Sequence, residues 1–223
     1  MPELNDALND LNDWRARLRT LAVADADGDG AHDASHLDRV WRNAQALLAD
    51  DPQADALIVL AACYLHDLVN VPKNDPRRAM ASRLSAELAR ARLAELAFPA
   101  DKLDGVAHAV EAHSFSAAIP ATTPEARIVQ DADRLDGLGT VGLARMFYIA
   151  GRMGSALADG ADPLAHERAL DDRAYALDHI PVKLARLPGM MQTDAGRRLA
   201  RQRLAVLEDF RTAFAGEWSG TAI

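Results

Sequence analysis

The apolar run from Leu57 to Leu65, which ends directly at His66 and Asp67, constrains this chain more than any other stretch. The run exceeds a typical strand in length, is rich in Ala and Leu, and contains neither Gly nor Pro, which predicts a helix buried among other helices. An ionised aspartate in such a place is costly unless it is paired or coordinates a metal. Two interpretations are open: His66 and Asp67 cap a core helix by hydrogen bonds, or they converge on one ion.

Composition narrows the class of protein. A chain of 223 residues with 49% hydrophobic content is large enough for one domain with a sizeable core. A net charge of −8 argues against sequence-independent binding of nucleic acid, which requires a basic face. The single cysteine, Cys63, excludes a disulfide framework and a thiolate metal cluster. The acidic N-terminus lacks a signal pattern and no apolar stretch reaches about 18 residues, so we expect a cytoplasmic protein without a membrane span.

Helical periodicity runs through the chain and no strand pattern accompanies it, so the predicted fold is an all-α, single-domain bundle of many helices. Residues 1–24 are predicted to form a bracing helix, residues 25–215 the main domain, and residues 216–223 a tail. The stretch from 154 to 172 has little periodicity and is predicted to be an exposed excursion. Two closing helices are predicted at about 173–187 and 194–214. The oligomeric state cannot be read from these patterns.

Four more side chains join the candidate site through their helical phase. His36 shares the face of Val40 and Ala44, and His113 continues the face of Val110, whereas His108 points elsewhere. On the helix capped by Thr123 and Pro124, two carboxylates are predicted to lean toward the buried side, and Asp131 is not. These carboxylates are Asp133 and Asp136.

A short basic segment follows His66 and Asp67 directly and contains Lys73 and Arg77. Cations beside a metal site would suit a phosphate-bearing substrate, and a solvated charge at a helix end is an equally open interpretation for Arg77. Lys73 is the stronger candidate of the two.

Taken together, His36, the His66-Asp67 doublet and Asp133 resemble the ligand pattern of the HD superfamily of metal-dependent phosphohydrolases. Longer phrases are similar to one bacterial subgroup of that family and together span most of residues 32–210. They are HDASHLDRVW at 32–41, YLHDLVNVPKNDPR at 64–77, EAHSFS at 111–116, IVQDADRLDGLGTVGLAR at 128–145 and HIPVKLARL at 179–187.

The resemblance implies that His36, His66, Asp67 and Asp133 bind one divalent metal ion. Such a nitrogen and oxygen set suits manganese first, with magnesium, cobalt, nickel or iron as alternatives. The implied activity is hydrolysis of a phosphorylated small molecule, most directly a nucleotide, with pyrophosphohydrolase, phosphodiesterase or phosphatase chemistry. An alternative is a non-catalytic module that senses a ligand or binds a partner and keeps the metal as a structural staple.

Further roles follow from the same resemblance. The glutamate that some related nucleotidases use as acid or base after the doublet is absent here, which leaves Asp67, Asp136 or a metal-bound hydroxide as candidates for proton transfer. The candidates for substrate contact are Lys73, Arg77, His113 and Lys183. His113 is also the one histidine placed where some branches of the family hold a second metal. The branch that hydrolyses guanosine tetraphosphate carries an acidic pair after the doublet, and this chain has Leu68-Val69-Asn70 instead, so that activity is not expected.

Overall fold

The computed structural model describes residues 2–24, 34–69, 71, 80–114 and 117–221, with side chains from residue 9 onward. Over these residues the chain is helical and forms no sheet, which confirms the all-α prediction. The helices are α1 Pro2–Ala24, α2 Ala34–Leu48, α3 Ala56–Leu65, α4 Ala81–Glu95, α5 Leu103–His113, α6 Pro124–Asp136, α7 Gly139–Met153, α8 His179–Val182, α9 Leu187–Met190 and α10 Asp194–Trp218.

The chain divides into two compact units, residues 1–133 and residues 134–223. The first unit contains α1 to α5 and most of α6, and the second contains the remaining helices. Within the described ranges, no helix combines the length and apolarity that a membrane crossing requires. The bounds of the main domain, residues 25–215, stay a prediction.

Helix α3 is the buried helix that the apolar run predicts. Its side chains from Val59 to Leu65 are all buried, and α1, α2 and α5 pack around it. The helix begins at an N-cap, Asp55, whose carboxylate accepts hydrogen bonds from the backbone N–H groups of Leu57 and Ile58. Cys63 is buried in this helix, and burial raises the pKa of its thiol, so the sulfur is a core atom.

Helix α1 lies against α3 through an apolar stripe that includes Trp14 and Leu18, both buried. The Trp14 ring meets Phe98 edge to face, with 4.9 Å between ring centroids. Phe98 follows the end of α4, so this aromatic pair links α1 to the end of that helix and adds to the apolar area that α1 buries.

A polar network joins α1, α2 and α3 around Asp38. The Asp38 carboxylate accepts hydrogen bonds from the Tyr64 hydroxyl at 2.5 Å and from the guanidinium groups of Arg15 and Arg19, each at 3.1 Å. Burial alone raises the pKa of Asp38, but these hydrogen bonds outweigh it and hold the pKa below its usual value. The network thus contributes stability only while Asp38 is ionised.

Helix α6 is buried around most of its circumference, including Ile128, Ala132, Leu135 and Asp131. Asp131 has no exposed surface, so the prediction that it points away from the buried side is wrong. The reason is that an amphipathic pattern assumes one buried stripe, whereas α6 buries more than one face. Its start matches the prediction, because the Thr123 hydroxyl accepts a hydrogen bond from the N–H of Ala126 at 3.2 Å.

The predicted helix at 173–187 is wrong, because the structure has only short helical pieces there, among them α8 and α9. Each of these helices holds a proline in its first turn, Pro181 in α8 and Pro188 in α9. A proline lacks the N–H that a helix interior needs but is tolerated in the first turn. A single helix across this segment is therefore interrupted, and a short helix begins near each proline.

The stretch 154–172 is ordered by its own aspartates despite its lack of periodicity. The Asp162 carboxylate accepts hydrogen bonds from the backbone N–H groups of His166, Glu167 and Arg168. The Arg168 guanidinium in turn donates two hydrogen bonds, at 2.6 and 2.9 Å, to the fully buried Asp178. Short polar side chains that bind nearby backbone groups are the usual organisers of such loops.

Replacing Asp38 with Asn should lower the free energy of unfolding at pH 7 by about 1–2 kcal/mol, because it removes the charge from the α1–α2–α3 network. The folded pKa of Asp38 is lower than the unfolded value. The stabilisation is therefore complete above about pH 4 and is lost as the pH falls through the folded pKa. Urea titrations of wild type and Asp38→Asn from about pH 7 down to about pH 2.5, which passes through the unfolded pKa of an aspartate at about 3.9, should show the two curves approaching each other in acid.

The control is Asp104→Asn, which removes an exposed ion pair to Arg90 from α5. Because both of its side chains are more than half exposed, at 51% and 83%, the loss should be under about 0.5 kcal/mol. Equal losses in the two variants at neutral pH would contradict a specific role for the Asp38 network.

Candidate metal centre

Five side chains from four helices of the first unit converge at one place. His36 comes from α2, His66 is the C-cap of α3 and Asp67 follows it, His113 ends α5, and Asp133 lies in α6. The two central imidazoles are buried, with His36 1% exposed and His66 fully buried. Asp67 and Asp133 retain 34% and 31% side-chain exposure, so the cluster opens to solvent on its carboxylate side.

The donor atoms of this cluster stand close together. His66 Nε2 lies 3.4 Å from both His36 Nε2 and Asp67 Oδ2, and Asp133 Oδ1 lies 3.6 Å from His36 Nε2 and 3.8 Å from His66 Nε2. Ligand atoms bound about 2.1 Å from a common ion stand roughly 3.0–3.5 Å apart in octahedral or tetrahedral geometry. The observed separations therefore fit a set of ligands with little rearrangement.

Two of the imidazoles are oriented by their own helices. His66 Nδ1 lies 3.0 Å from the carbonyl oxygen of Cys63, and His113 Nδ1 lies 2.6 Å from that of Val110. A carbonyl can only accept, so each Nδ1 donates its hydrogen and each Nε2 faces the cluster. Backbone carbonyls commonly fix metal-binding histidines in this way.

The charges of the cluster favour a cation. Burial alone lowers the pKa of His66, but the carboxylates of Asp67 and Asp133 outweigh it and raise the pKa to about 9. Burial raises the pKa of Asp67, yet His66 and His113 outweigh it and hold that pKa well below its usual value. The ionised Asp67 carboxylate thus faces a protonated His66, and a divalent ion bound in this place would supply the positive charge instead.

His113 contacts this cluster through Asp67, with His113 Nε2 3.5 Å from Asp67 Oδ1. Its ring also meets the His66 ring edge to face, with centroids 4.8 Å apart. Asp67 therefore has one oxygen toward His66 and the other toward His113. Sequence phasing predicted that His113 faces inward, and the structure confirms it as a buried residue that is 8% exposed.

The remaining predicted site residues belong to the second unit or fall outside the described ranges. Lys73 and Arg77 belong to the segment 72–79, which the structure does not describe. In the second unit, Asp136 is buried in an ion pair with Arg145, and Lys183 is exposed at the C-cap of α8. His108 lies outside the cluster, as predicted, and accepts a hydrogen bond from the backbone N–H of Thr122 at 3.2 Å.

Comparison with known proteins agrees with this geometry. The sequence model of the HD domain family matches residues 33–138. The chain is 34% identical to YpgQ of Bacillus subtilis over 181 residues, which cover 79% of this chain and 80% of YpgQ.

Solved structures agree over nearly the whole chain. The crystal structure of YpgQ in complex with ADP has a TM-score of 0.72 at 30% identity and covers 93% of this chain and 96% of that one. An HD-superfamily hydrolase from Bacillus thuringiensis has a TM-score of 0.71 at 26% identity and covers 94% of this chain and 98% of that one. With its histidines and aspartates gathered as described, this chain belongs to the HD superfamily of hydrolases.

Proposed function

We propose that this protein is a divalent-metal-dependent phosphohydrolase whose substrate is a nucleotide. The observation that carries the proposal is that His66 Nε2 lies 3.4–3.8 Å from His36 Nε2 and from one carboxylate oxygen each of Asp67 and Asp133. In this proposal His36, His66, Asp67 and Asp133 hold the ion. A divalent ion in such a site supplies a water nucleophile at neutral pH and neutralises charge on a phosphoryl group.

The donor set also indicates which ion to test first. Two nitrogen and two oxygen donors form a site of intermediate hardness, and the nearby Cys63 sulfur is a buried core atom of α3. Manganese is the first choice, and magnesium, cobalt, nickel and iron are the alternatives. Four protein ligands leave positions for solvent and substrate on an ion that prefers six.

A nucleotide is the proposed substrate for two reasons. YpgQ, which is 30% identical and covers nearly the whole chain, was crystallised with ADP. Asp67 and Asp133 also leave the cluster partly open to solvent, where a charged phosphate can approach. Lys73, Arg77 and Lys183 are proposed to hold phosphate oxygens by charge, and His113 is proposed to face the substrate beside Asp67.

Proton handling is proposed for Asp67 and Asp136. Asp67 shares its two oxygens between His66 and His113, so the carboxylate is held in one orientation next to the reacting centre. An oriented carboxylate can accept a proton from an attacking water without first reorganising. For Asp136 the proposal rests on its position in α6, three residues after Asp133 and on the same side of the helix.

An assay on a panel of nucleotides with added Mn²⁺ separates an enzyme from a binding module. The enzyme releases phosphate or pyrophosphate from at least one nucleotide and loses this activity in Asp67→Ala, because a ligand and an oriented carboxylate are lost together. Tight nucleotide binding without any product in the wild type would support the non-catalytic alternative. The product, phosphate or pyrophosphate, also identifies which bond is cleaved.

Replacing His36 with Ala should remove most of the bound Mn²⁺, because a buried ligand is lost from the centre. The matched control is His108→Ala, which removes a histidine whose ring bonds Thr122 outside the cluster. Metal content by elemental analysis, after loading with Mn²⁺ and gel filtration, should fall in the first variant only. Equal metal loss in both variants would show that the centre is elsewhere.

Replacing Lys73 or Lys183 with Ala should lower kcat/KM for a nucleotide by about ten- to a thousand-fold at unchanged metal content, because each removes a phosphate contact and no metal ligand. The control is Lys102→Ala, which removes a cation paired with Asp55 at the start of α3. Steady-state kinetics and elemental analysis on the same preparations give both quantities. Wild-type kcat/KM in the Lys73 and Lys183 variants would refute their role in phosphate binding.

A further inference from the structure

Two buried carboxamides lie in the helices that carry the metal cluster. Asn43 in α2 is 6% exposed and Gln130 in α6 is 5% exposed. The Asn43 amide donates a hydrogen bond to the backbone carbonyl of Ala132 at 3.0 Å, and the Gln130 amide donates one to the carbonyl of Ala112 at 2.7 Å. Both bonds run from a side chain of one helix to the backbone of another.

The accepting carbonyls belong to the residues immediately before Asp133 and His113. Asn43 follows His36 by seven residues, or two helical turns, and so shares its face of α2. The Asn43 bond therefore ties the helix of His36 to the backbone beside Asp133. The Gln130 bond ties the helix of Asp133 to the backbone beside His113.

The energetics of Gln130 favour a geometric role over a stabilising one. Its Oε1 atom is buried and, among the residues that the structure describes, makes no hydrogen bond. An acceptor that is buried without a partner costs more free energy than one additional hydrogen bond returns. An apolar side chain of similar volume would thus pack at lower cost, but it would not fix the distance and direction between two helices.

We infer that Asn43 and Gln130 are positioning residues, which set the placement of Asp133 and His113 against the imidazoles of His36 and His66. The inference rests on the proposed metal centre. If α6 shifts relative to α2, Asp133 moves away from its place 3.6 Å from His36 Nε2. If α5 shifts relative to α6, His113 loses its contact with Asp67. Both amides act through backbone carbonyls and touch no reacting atom.

The test compares Asn43→Leu and Gln130→Met, which keep the approximate volume and remove the donor. Mn²⁺ is titrated calorimetrically into metal-depleted protein at a temperature where circular dichroism shows each variant folded. We expect the Mn²⁺ Kd to rise about 10- to 100-fold, as it does when groups that orient metal ligands are lost. At saturating Mn²⁺ the variants should recover most of their kcat, because the ligands themselves are intact.

The matched control is Leu47→Ala, a buried core substitution on the same helix as Asn43. It should lower the melting temperature while leaving the Mn²⁺ Kd within about twofold of wild type, since it creates a cavity about three helical turns along α2 from His36. A stabilising role alone would make Asn43→Leu behave like this control. Should Asn43→Leu not fold, Asn43→Ala removes the same hydrogen-bond donor and introduces the residue with the highest helix propensity.

The outcomes separate this inference from the proposed function. A wild-type Kd for Mn²⁺ in the amide variants, with normal metal binding and hydrolysis in the wild type, would overturn the positioning role alone. A wild-type protein that binds no Mn²⁺ would overturn the proposed metal centre and the positioning role with it. A raised Kd in the amide variants but not in Leu47→Ala supports both.

Discussion

The carboxylate of Asp67 must be balanced by positive charge at the end of a helix that is otherwise apolar, and the arrangement of the first unit meets this requirement. His66 and His113 approach its two oxygens, and His36 and Asp133 complete the cluster from two further helices. An uncompensated carboxylate next to fully buried Leu65 and His66 would be costly. The packing of α2, α5 and α6 near the end of α3 therefore brings together the groups that surround the Asp67 carboxylate.

Much of this arrangement could be predicted from the sequence because helical phase is a local property. His36 and His113 face inward for the same reason that Val40 and Val110 do, since residues three or four apart share one face.

The rule of helical phase failed for Asp131, because α6 is buried on more than one side and a single stripe no longer describes it. It also failed at 173–187, where Pro181 and Pro188 divide the segment into short helices.

The contacts between helices that position the cluster could not be predicted, because they join groups that lie far apart along the chain. Asn43 bonds the carbonyl of Ala132, 89 residues away, and His113 meets Asp67 from another helix. Every residue type has a backbone carbonyl that can accept a hydrogen bond, so no sequence pattern distinguishes Ala132 from any other buried alanine. The phase of Asn43 relative to His36 is visible in the sequence, but its partner is a tertiary property.

His66 and His113 differ from the carboxylates in how they are held. Each lies at the C-terminal end of its helix, where the last carbonyls have no intrahelical N–H partner. The Nδ1–H of each ring donates a hydrogen bond to the carbonyl three residues earlier, that of Cys63 or Val110. This bond turns Nε2 toward the cluster. Both rings are thus oriented by local helix geometry, and the partial negative charge of the two helix ends adds to the preference for a cation. Asp133, in contrast, reaches the cluster through the packing of α6, so its place beside His36 Nε2 depends on contacts between helices and not on the end of its own helix.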